Sequence, residues 1–283
     1  MLFRSFTNLL DLDAALRIVL EFDEPAAAVI KHTNPCGAAI GSSAVDAYVR
    51  AREADSLAAF GGIVALNRPI DLAVAEAIVS TFIEAVIAPG VEEAAKPVLG
   101  RKQNMRVVTT DYRDLKASQV ELRSILGAML AQEADWVNEA ATLWTPGTDG
   151  LGVVTRRPPT DEEWTALRFA WRICAHVKSN TVIFTDAART LAIGAGQMSR
   201  VDAVRTAVMK ATGRSKDAAR PLAGSVAASD AYFPFRDGLD VVASAGATAV
   251  VQPGGSVRDP EVIAAADEHG LAMVFTGRRH FRH

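Results

Sequence analysis

Apolar and polar residues follow two patterns along the chain: short apolar runs, and longer stretches in which apolar residues recur every three or four positions. The short runs predict buried β-strands, and the longer stretches predict amphipathic helices. The predicted strands are residues 26–30, 62–66, 85–87, 106–109, 181–185, 190–194, 247–251 and 271–275. The predicted helices are residues 9–22, 44–54, 71–82, 161–176, 201–211, 238–245 and 260–269. This alternation predicts an α/β fold with largely parallel or mixed sheets.

Two stretches of the chain resemble each other weakly. Residues 60–87 and 245–274 each predict a strand, a turn, a helix that begins near an acidic residue, and a second strand. In the first stretch Asp71 is the predicted N-cap of the helix. The similarity suits a duplicated architecture, but βαβ units also resemble each other by chance, and the sequence leaves both interpretations open. The segment 144–160, rich in Gly, Pro and Thr, is predicted to be a loop.

The composition is that of an ordinary soluble globular protein, with 49% hydrophobic and 22% charged residues. A net charge of −3 creates no field for nucleic acid or an anionic membrane, and no apolar stretch is long enough to span a bilayer. The N-terminal residues lack the apolar core of a signal peptide. Cys36 and Cys174 do not form a disulfide framework. We therefore predict a cytoplasmic protein without a nucleic-acid or membrane partner.

The run Lys31-His32-Thr33-Asn34-Pro35-Cys36-Gly37 directly follows the first predicted strand. The Asn-Pro and Cys-Gly steps predict a turn that leads to a helix. A strand that ends in ionisable residues delivers them to the edge of a sheet, where open α/β folds keep their ligand sites. The histidine can move a proton at neutral pH. The alternative is a surface lysine beside a structural histidine, and on these residues alone that alternative is favoured.

Asn180 ends a short polar segment between a predicted helix and a predicted strand. Its side-chain NH₂ group can donate hydrogen bonds to a developing oxyanion without being titrated. Residues of this type also favour caps and turns, so a structural role is the alternative.

Three further segments contain candidate binding chemistry, each with a structural alternative. Residues 194–200 form a glycine-containing turn that opens a helix and suits anions, although the dinucleotide-binding pattern is incomplete. Residues 229–237 place aromatic rings beside carboxylates, which suits either a flat heterocycle or a core. Residues 279–283 are cationic and aromatic, and they suit either a phosphate clamp or a frayed terminus.

Metal chemistry is disfavoured by the residue pattern. The Pro35-Cys36 step resembles one half of a zinc deaminase site, but position 39 is Ala39 and the chain contains no H-x-E motif. The histidines are scattered and form no cluster with ligand spacing. We therefore predict no metal site.

Longer motifs, taken in order, resemble those of the AICAR transformylase family, the folate-dependent formyltransferases of purine biosynthesis. They are KHTNPCG (31–37), AFGGIVALNRPID (59–71), VIAPG (86–90), FAWRICAHVKSN (169–180), AIGAGQMSR (192–200), SDAYFPFRDGLD (229–240) and TGRRHFRH (276–283). The similarity extends from about Asn8 to His283. It implies formyl transfer from 10-formyltetrahydrofolate to the 5-amino group of AICAR (aminoimidazole carboxamide ribotide), giving FAICAR and tetrahydrofolate.

The resemblance also implies a fold, an assembly and a set of site residues. The implied fold is a pair of cytidine-deaminase-like three-layer α/β subdomains without zinc, spanning residues 1–120 and 121–283. The implied assembly is a homodimer with shared active sites. The implied site residues are Lys31, His32 and Asn180 for catalysis, Asn8, Arg200, Asp230, Arg279 and Phe281 for substrate binding, and Met198, Phe60 and Gly61 for folate binding.

One feature of the family has no counterpart in this sequence. The motif similar to RYGENPHQ, which contributes an Arg and a Tyr to nucleotide binding, does not precede Ser5-Phe6-Thr7-Asn8, where the similarity begins. The family's cyclohydrolase domain is not matched either. We therefore expect weaker phosphate binding in this chain taken alone. The alternative function is a non-catalytic or partner-dependent binding subunit with the same fold.

Overall fold

The computed structural model describes residues 5–113, 115, 120–214 and 221–283. Its first sheet has the strand order β2-β1-β3-β4-β5, in which β1 pairs antiparallel with β2 and β3 while β3, β4 and β5 run parallel. These strands are β1 (Ala26–Lys31), β2 (Asn34–Ile40), β3 (Gly62–Leu66), β4 (Ile83–Ala88) and β5 (Arg106–Thr109). The helices of this half are α1 (Ser5–Val19), α2 (Ala44–Glu53), α3 (Ser56–Ala59), α4 (Leu72–Val79) and α5 (Lys96–Leu99).

The second large sheet has the strand order β10-β9-β11-β12-β13-β8. Its strands are β8 (Gly152–Val153), β9 (Val182–Thr185), β10 (Thr190–Gly194), β11 (Val226–Ser229), β12 (Ala249–Gln252) and β13 (Ala272–Phe275). The helices are α6 (Asp161–Cys174), α7 (Arg200–Arg214), α8 (Arg236–Ala245) and α9 (Asp259–Glu268). The predicted α/β fold is confirmed, and most predicted elements differ from the observed bounds by only a few residues.

The second sheet repeats the connectivity of the first. In each, a hairpin (β1–β2 or β9–β10) pairs antiparallel with the next strand, and two parallel strands follow. This repetition supports duplication. However, the topological counterpart of β3–α4–β4 is β11–α8–β12, one unit earlier than the pairing that the sequence similarity suggested.

The hydrophobic core lies in layers on both faces of each sheet. Along β1, Ala26, Ala28 and Ile30 belong to the inner cluster that also contains residues of α1, α6 and the second sheet. The alternate residues Ala27 and Val29 face the outer cluster. Because successive strand residues point to opposite faces, a strand buried on both sides must be apolar throughout, as β1 is.

The turn expected at Asn34-Pro35 is displaced, so this prediction is wrong. The chain turns one step earlier, and residues 34–40 form β2. Pro35 is tolerated because β2 is the edge strand of its sheet and its register with β1 is irregular at Val29/Ile30. Beyond this edge, β2 meets the connection between β9 and β10 of the second sheet: the Ile40 amide donates to the Ala188 carbonyl at 2.8 Å.

A separate hairpin, β6 (Val120–Ile125) and β7 (Ala128–Glu133), was not predicted. Its residues are mostly exposed, so its sequence lacks the burial pattern on which strand prediction depends. The predicted boundary between residues 120 and 121 falls at the start of this hairpin and stays a prediction. Residues 1–4 of the predicted first subdomain lie outside the described residues.

In each hairpin, one glycine allows the second strand to pack closely against the helix that follows it. A Cβ atom at Gly37 would lie 2.1 Å from the Ala51 carbonyl oxygen of α2, and one at Gly194 would lie 1.8 Å from the Ala203 carbonyl oxygen of α7. Neither distance can accommodate a methyl group without moving backbone.

We predict that Gly37→Ala and Gly194→Ala each lower the free energy of unfolding by about 1–3 kcal/mol or more, because both overpack a strand–helix contact. Urea denaturation followed by circular dichroism would measure this loss. Gly152→Ala is the matched control, since nothing lies within 4 Å of its added methyl group. Equal stability of the three variants would contradict the prediction.

Candidate functional site

The tip of the β1–β2 hairpin is a two-residue loop in a strained conformation. His32 has φ of 55° and Thr33 has φ of 62°. Two-residue hairpins of this kind normally use Asn and Gly, because a positive φ is unfavourable for other residues and most of all for a β-branched one. Such strain persists only where surrounding contacts hold it, and it is concentrated at functional sites.

Neighbouring segments hold this tip on each side. The Thr33 amide donates to Asp11 Oδ1 at 2.6 Å, and the Lys31 ammonium donates to the Phe60 carbonyl at 3.0 Å. Asn34 Oδ1 accepts a hydrogen bond from the Lys178 amide at 3.0 Å. The His32 side chain, by contrast, is exposed to solvent. The tip is therefore fixed in position while its histidine is left accessible.

Other predicted residues lie around the same tip. Phe60 follows α3 and is 62% exposed, and Gly61 next to it has φ of 73°. Asn8 is half-buried on α1, one helical turn before Asp11, which holds the loop. The structure thus brings Lys31, Phe60 and Gly61 together, with the helix that carries Asn8 beside them.

A cleft of about 510 Å³ lies at the other predicted segments. It brings together Asn180, Met198, Arg200, Arg279 and Phe281, which are distant in sequence. Its further lining residues are Ser199, Val201, Ala231, Tyr232, Pro234, Phe235 and Asp237. The hairpin-tip residues are not part of this lining, and the hydrogen bond from Lys178 to Asn34 connects the two groups.

A buried ion pair underlies the cleft. Arg200, 7% exposed, forms a salt bridge with Asp230, which is fully buried. Arg200 also donates to the Thr181 carbonyl at 3.0 Å and to Asn180 Oδ1 at 2.9 Å. Asp230 Oδ2 and Arg200 Nε have no hydrogen-bond partner within the described part of the chain. Incompletely paired buried charges are costly, so their presence marks this place as more than a packing contact.

The Asn180 amide is also fully engaged. Its Nδ2 group donates to the Gln197 carbonyl at 2.9 Å and to the Met198 carbonyl at 3.2 Å. Since Arg200 can only donate, the Asn180 oxygen must face Arg200 and the NH₂ group must face the turn. Asn180 thereby holds the turn at residues 197–198 against the start of β9.

The aromatic segment is divided between the core and the lining of the cleft. Phe233 is fully buried in the core, whereas Tyr232 and Phe235 line the cleft. The guanidinium of Arg279 lies 4.8 Å from the Tyr232 ring centroid, and that of Arg258 lies 4.9 Å from the Phe235 ring centroid. These cation–π contacts favour fixed positions of the two rings that line the cleft.

The C-terminal segment is anchored rather than frayed, so the structural alternative for residues 279–283 is wrong. His280 is only 2% exposed and contacts Asp135 and Glu139. Sequence reasoning missed these three residues. His280 belongs to no helical or strand pattern in the sequence that would indicate a buried side chain. Its acidic partners lie more than 140 positions away along the chain.

Neither cysteine is suited to nucleophilic chemistry. Burial raises the pKa of the Cys36 thiol to about 12, and it raises the pKa of the Cys174 thiol well above its ordinary value. The reactive thiolate is therefore scarce at neutral pH.

Within residues 5–113, 115, 120–214 and 221–283, no group of three or more His, Cys, Asp or Glu side chains is arranged to hold a metal ion. No helix in the same residues is long and apolar enough to cross a membrane.

Comparison with known proteins places the chain in a family. Residues 3–210 match the model of the AICARFT/IMPCHase bienzyme family. Because this match covers most of the sequence, the chain belongs to that family.

The chain is similar to longer proteins, two of which share the name PurH. The chain is 50% identical over 287 residues to the bifunctional purine biosynthesis protein PurH of Anaeromyxobacter sp. (strain Fw109-5), covering 99% of this chain and 52% of that protein. It is 51% identical over 285 residues to PurH of Myxococcus xanthus (strain DK1622), covering 99% of this chain and 52% of that protein. The chain thus spans about half the length of these relatives.

We predict that Asp230→Asn lowers the free energy of unfolding by about 3–5 kcal/mol, because it leaves the buried Arg200 charge without its partner. Chemical denaturation would measure the change. Glu261→Gln is the control, since it removes a partner from the exposed pair with Arg258 at 2.9 Å and should cost less than about 1 kcal/mol. A similar small effect in both variants would show that Asp230→Asn does not leave an uncompensated buried charge on Arg200, which would contradict the prediction.

Proposed function

We propose that this chain forms the transformylase site that transfers a formyl group from 10-formyltetrahydrofolate to the 5-amino group of AICAR. The observation that carries the proposal is the cleft, which collects Asn180, Arg200, Arg279 and Phe281 from segments far apart in sequence. Membership in the AICARFT/IMPCHase family supports the same reaction. The products of the proposed reaction are FAICAR and tetrahydrofolate.

His32 is the proposed general base. An aromatic amine is a weak nucleophile, so its attack on a formyl group benefits from a base that removes the amine proton. The exposed imidazole stands at a strained tip that neighbouring segments hold in place, which suits a group that must meet a ligand in one orientation. Lys31, beside it, provides a positive charge that favours the developing negative charge on the formyl oxygen.

Asn180 is the proposed partner of the formyl oxygen. Both of its NH₂ hydrogens are used by the turn, and the bond to the Met198 carbonyl at 3.2 Å is the longer of the two. We propose that the formyl oxygen replaces this longer bond. Arg200 would keep the Asn180 amide oriented during the exchange, because its bond to Oδ1 lies on the opposite side.

The remaining residues are proposed to bind the two substrates. Arg279 and Phe281 suit a nucleotide, since one supplies a guanidinium for phosphate and the other an aromatic face for the heterocycle. Asp230 is proposed to contribute indirectly, by holding the Arg200 side chain in place through their buried salt bridge. Met198 and Phe60, at 96% and 62% exposed, are proposed to contact folate together with Gly61. Asn8 is proposed to contact the nucleotide from α1.

We also propose that the chain forms a homodimer with shared active sites. The predicted residues fall into a hairpin-tip group and a cleft group, and each exposes large apolar side chains, notably Phe60, Met198 and Phe281. Exposed apolar surface of this kind is typical of ligand or protein contacts. Sedimentation at twice the monomer mass would support the dimer.

The finer fold assignment, a pair of cytidine-deaminase-like subdomains without zinc, is likewise proposed. Stoichiometric zinc in the purified protein would contradict it.

We predict that His32→Ala lowers kcat by about 10²–10⁴-fold, the usual contribution of a general base. The measurement is absorbance during formylation of AICAR by 10-formyltetrahydrofolate. His269→Ala is the control, because His269 is paired with Asp240 at 2.8 Å between α8 and α9 and does not line the cleft. Unchanged turnover in the His32 variant would reject the assigned base.

The same assay separates the partner-dependent alternative. It is run on the chain alone and on the chain mixed with the N-terminal half of the Myxococcus xanthus relative. Turnover that appears only in the mixture would support a partner-dependent subunit, and absence of turnover in both would contradict the proposed function.

A further inference from the structure

The last residues of the chain alternate between the cleft and the protein interior. Arg279 and Phe281 line the cleft, whereas His280 between them is only 2% exposed. Arg282 is half-buried and approaches His176 Nδ1 at 3.5 Å. An extended segment points successive side chains to opposite sides, so whatever fixes His280 also sets the direction of its two neighbours.

The surroundings of His280 define its protonation. Its Nδ1 lies 2.9 Å from each carboxylate oxygen of Asp135, and its Nε2 lies 2.7 Å from Glu139 Oε1. Carboxylates only accept hydrogen bonds, so both ring nitrogens donate and the ring is an imidazolium. The Trp171 ring meets His280 edge-on at 5.3 Å, and its Nε1 donates to the same Glu139 oxygen at 2.6 Å.

The backbone of this segment also contacts the segments that carry Asp230 and Asn180. The His280 amide donates to the Asp230 carbonyl at 3.4 Å, and the Ser179 amide donates to the Arg282 carbonyl at 2.8 Å. The side-chain anchor of His280 is therefore accompanied by two backbone contacts to residues that directly precede Ala231 and Asn180 of the cleft lining.

We propose that His280 is a positioning residue for ligand binding: clamped between Asp135 and Glu139, it fixes the C-terminal segment so that Arg279 and Phe281 stand in the cleft. The nucleotide identity of the ligand rests on the proposed function, but the anchoring itself does not. His280 touches no reacting atom in this proposal and acts through its neighbours.

The clamp has a defined pH dependence. Burial by itself lowers the pKa of His280, but the hydrogen bonds to Asp135 and Glu139 outweigh it and raise the pKa from 6.5 to about 9. The same contacts, against the opposing effect of burial, hold the pKa of Glu139 below its usual range. Burial lowers the pKa of His176, which lies between Glu21, 3.1 Å from its Nε2, and Arg282, 3.5 Å from its Nδ1. Because the folded-state pKa is raised, the stabilisation is complete below about pH 6.5 and is lost as pH rises through about 9.

Hydrogen exchange of the full chain, followed by mass spectrometry, tests the anchor without a ligand. We expect exchange of residues 277–283 to accelerate relative to the core as pH rises from 7 to 10, after correction for the intrinsic pH dependence of exchange. In His280→Gln, which cannot carry the charge, exchange should be fast at every pH. His269→Gln is the matched control, since it removes a histidine paired with a carboxylate away from the cleft.

Calorimetric titration with AICAR tests the consequence for binding. We expect His280→Gln to weaken binding by roughly tenfold at pH 7, as for loss of one charge-assisted hydrogen bond, and to flatten the pH dependence between 7 and 10. Asp135→Asn, which alters the more exposed partner, should give a smaller loss in the same direction, and it replaces His280→Gln if that variant does not fold. In the formylation assay the loss should appear in KM more than in kcat.

Equal exchange of residues 277–283 in the intact chain, His280→Gln and Asp135→Asn would overturn the anchor. Unchanged AICAR affinity with accelerated exchange would overturn its role in positioning. If the intact chain does not bind AICAR while its exchange shows the expected pH dependence, the proposed function fails and the anchor stands.

Discussion

The buried pair between Arg200 and Asp230 is the contact on which the geometry of the cleft depends. It joins the start of α7 to the end of β11, and through Thr181 and Asn180 it also holds the start of β9. Pairs of this kind contribute little net stability, because removing two charges from water costs about as much as their attraction returns. Replacing such a pair with well-packed apolar residues often leaves stability unchanged or raises it. The pair is therefore better explained by the orientation it imposes on Asn180 than by stability.

The repeated topology provides two similar frameworks that carry different chemistry. Gly37 and Gly194 occupy equivalent strands, and each permits the next helix to pack closely. Yet the first hairpin ends in the strained tip at His32, whereas the second repeat supplies the cleft. The hydrogen bonds at Ile40–Ala188 and Asn34–Lys178 connect the two frameworks, and the second of them joins the hairpin tip to the segment that carries Asn180.

Much of the fold could be predicted from the sequence, because its buried strands are apolar on both faces and its helices carry recognisable starts such as Asp71. The hairpin at residues 120–133 could not, since its exposed strands lack an apolar face. The turn predicted at Asn34-Pro35 was wrong, because the pairing of β2 with β1 overrides the local preference of these residues for a turn. Motif resemblance named five of the residues that line the cleft, namely Asn180, Met198, Arg200, Arg279 and Phe281. The other lining residues, and the separation of the cleft from the hairpin tip, required the three-dimensional arrangement. The anchor at His280 required it as well, because both of its partners are remote in sequence.

Arg279 and Phe281 line the cleft, and holding their side chains in one orientation costs entropy. Ordering a long side chain such as that of arginine costs about 1.5–2 kcal/mol. Here the cost is reduced in two ways: the Arg279 guanidinium rests on the Tyr232 ring, and the neighbouring His280 is fixed by two carboxylates. Because side chains alternate along an extended segment, fixing the buried His280 imidazolium also fixes the directions of Arg279 and Phe281 on either side of it. Asp135 and Glu139 belong to the segment between the exposed hairpin and the second sheet, so this segment is what holds the His280 side chain.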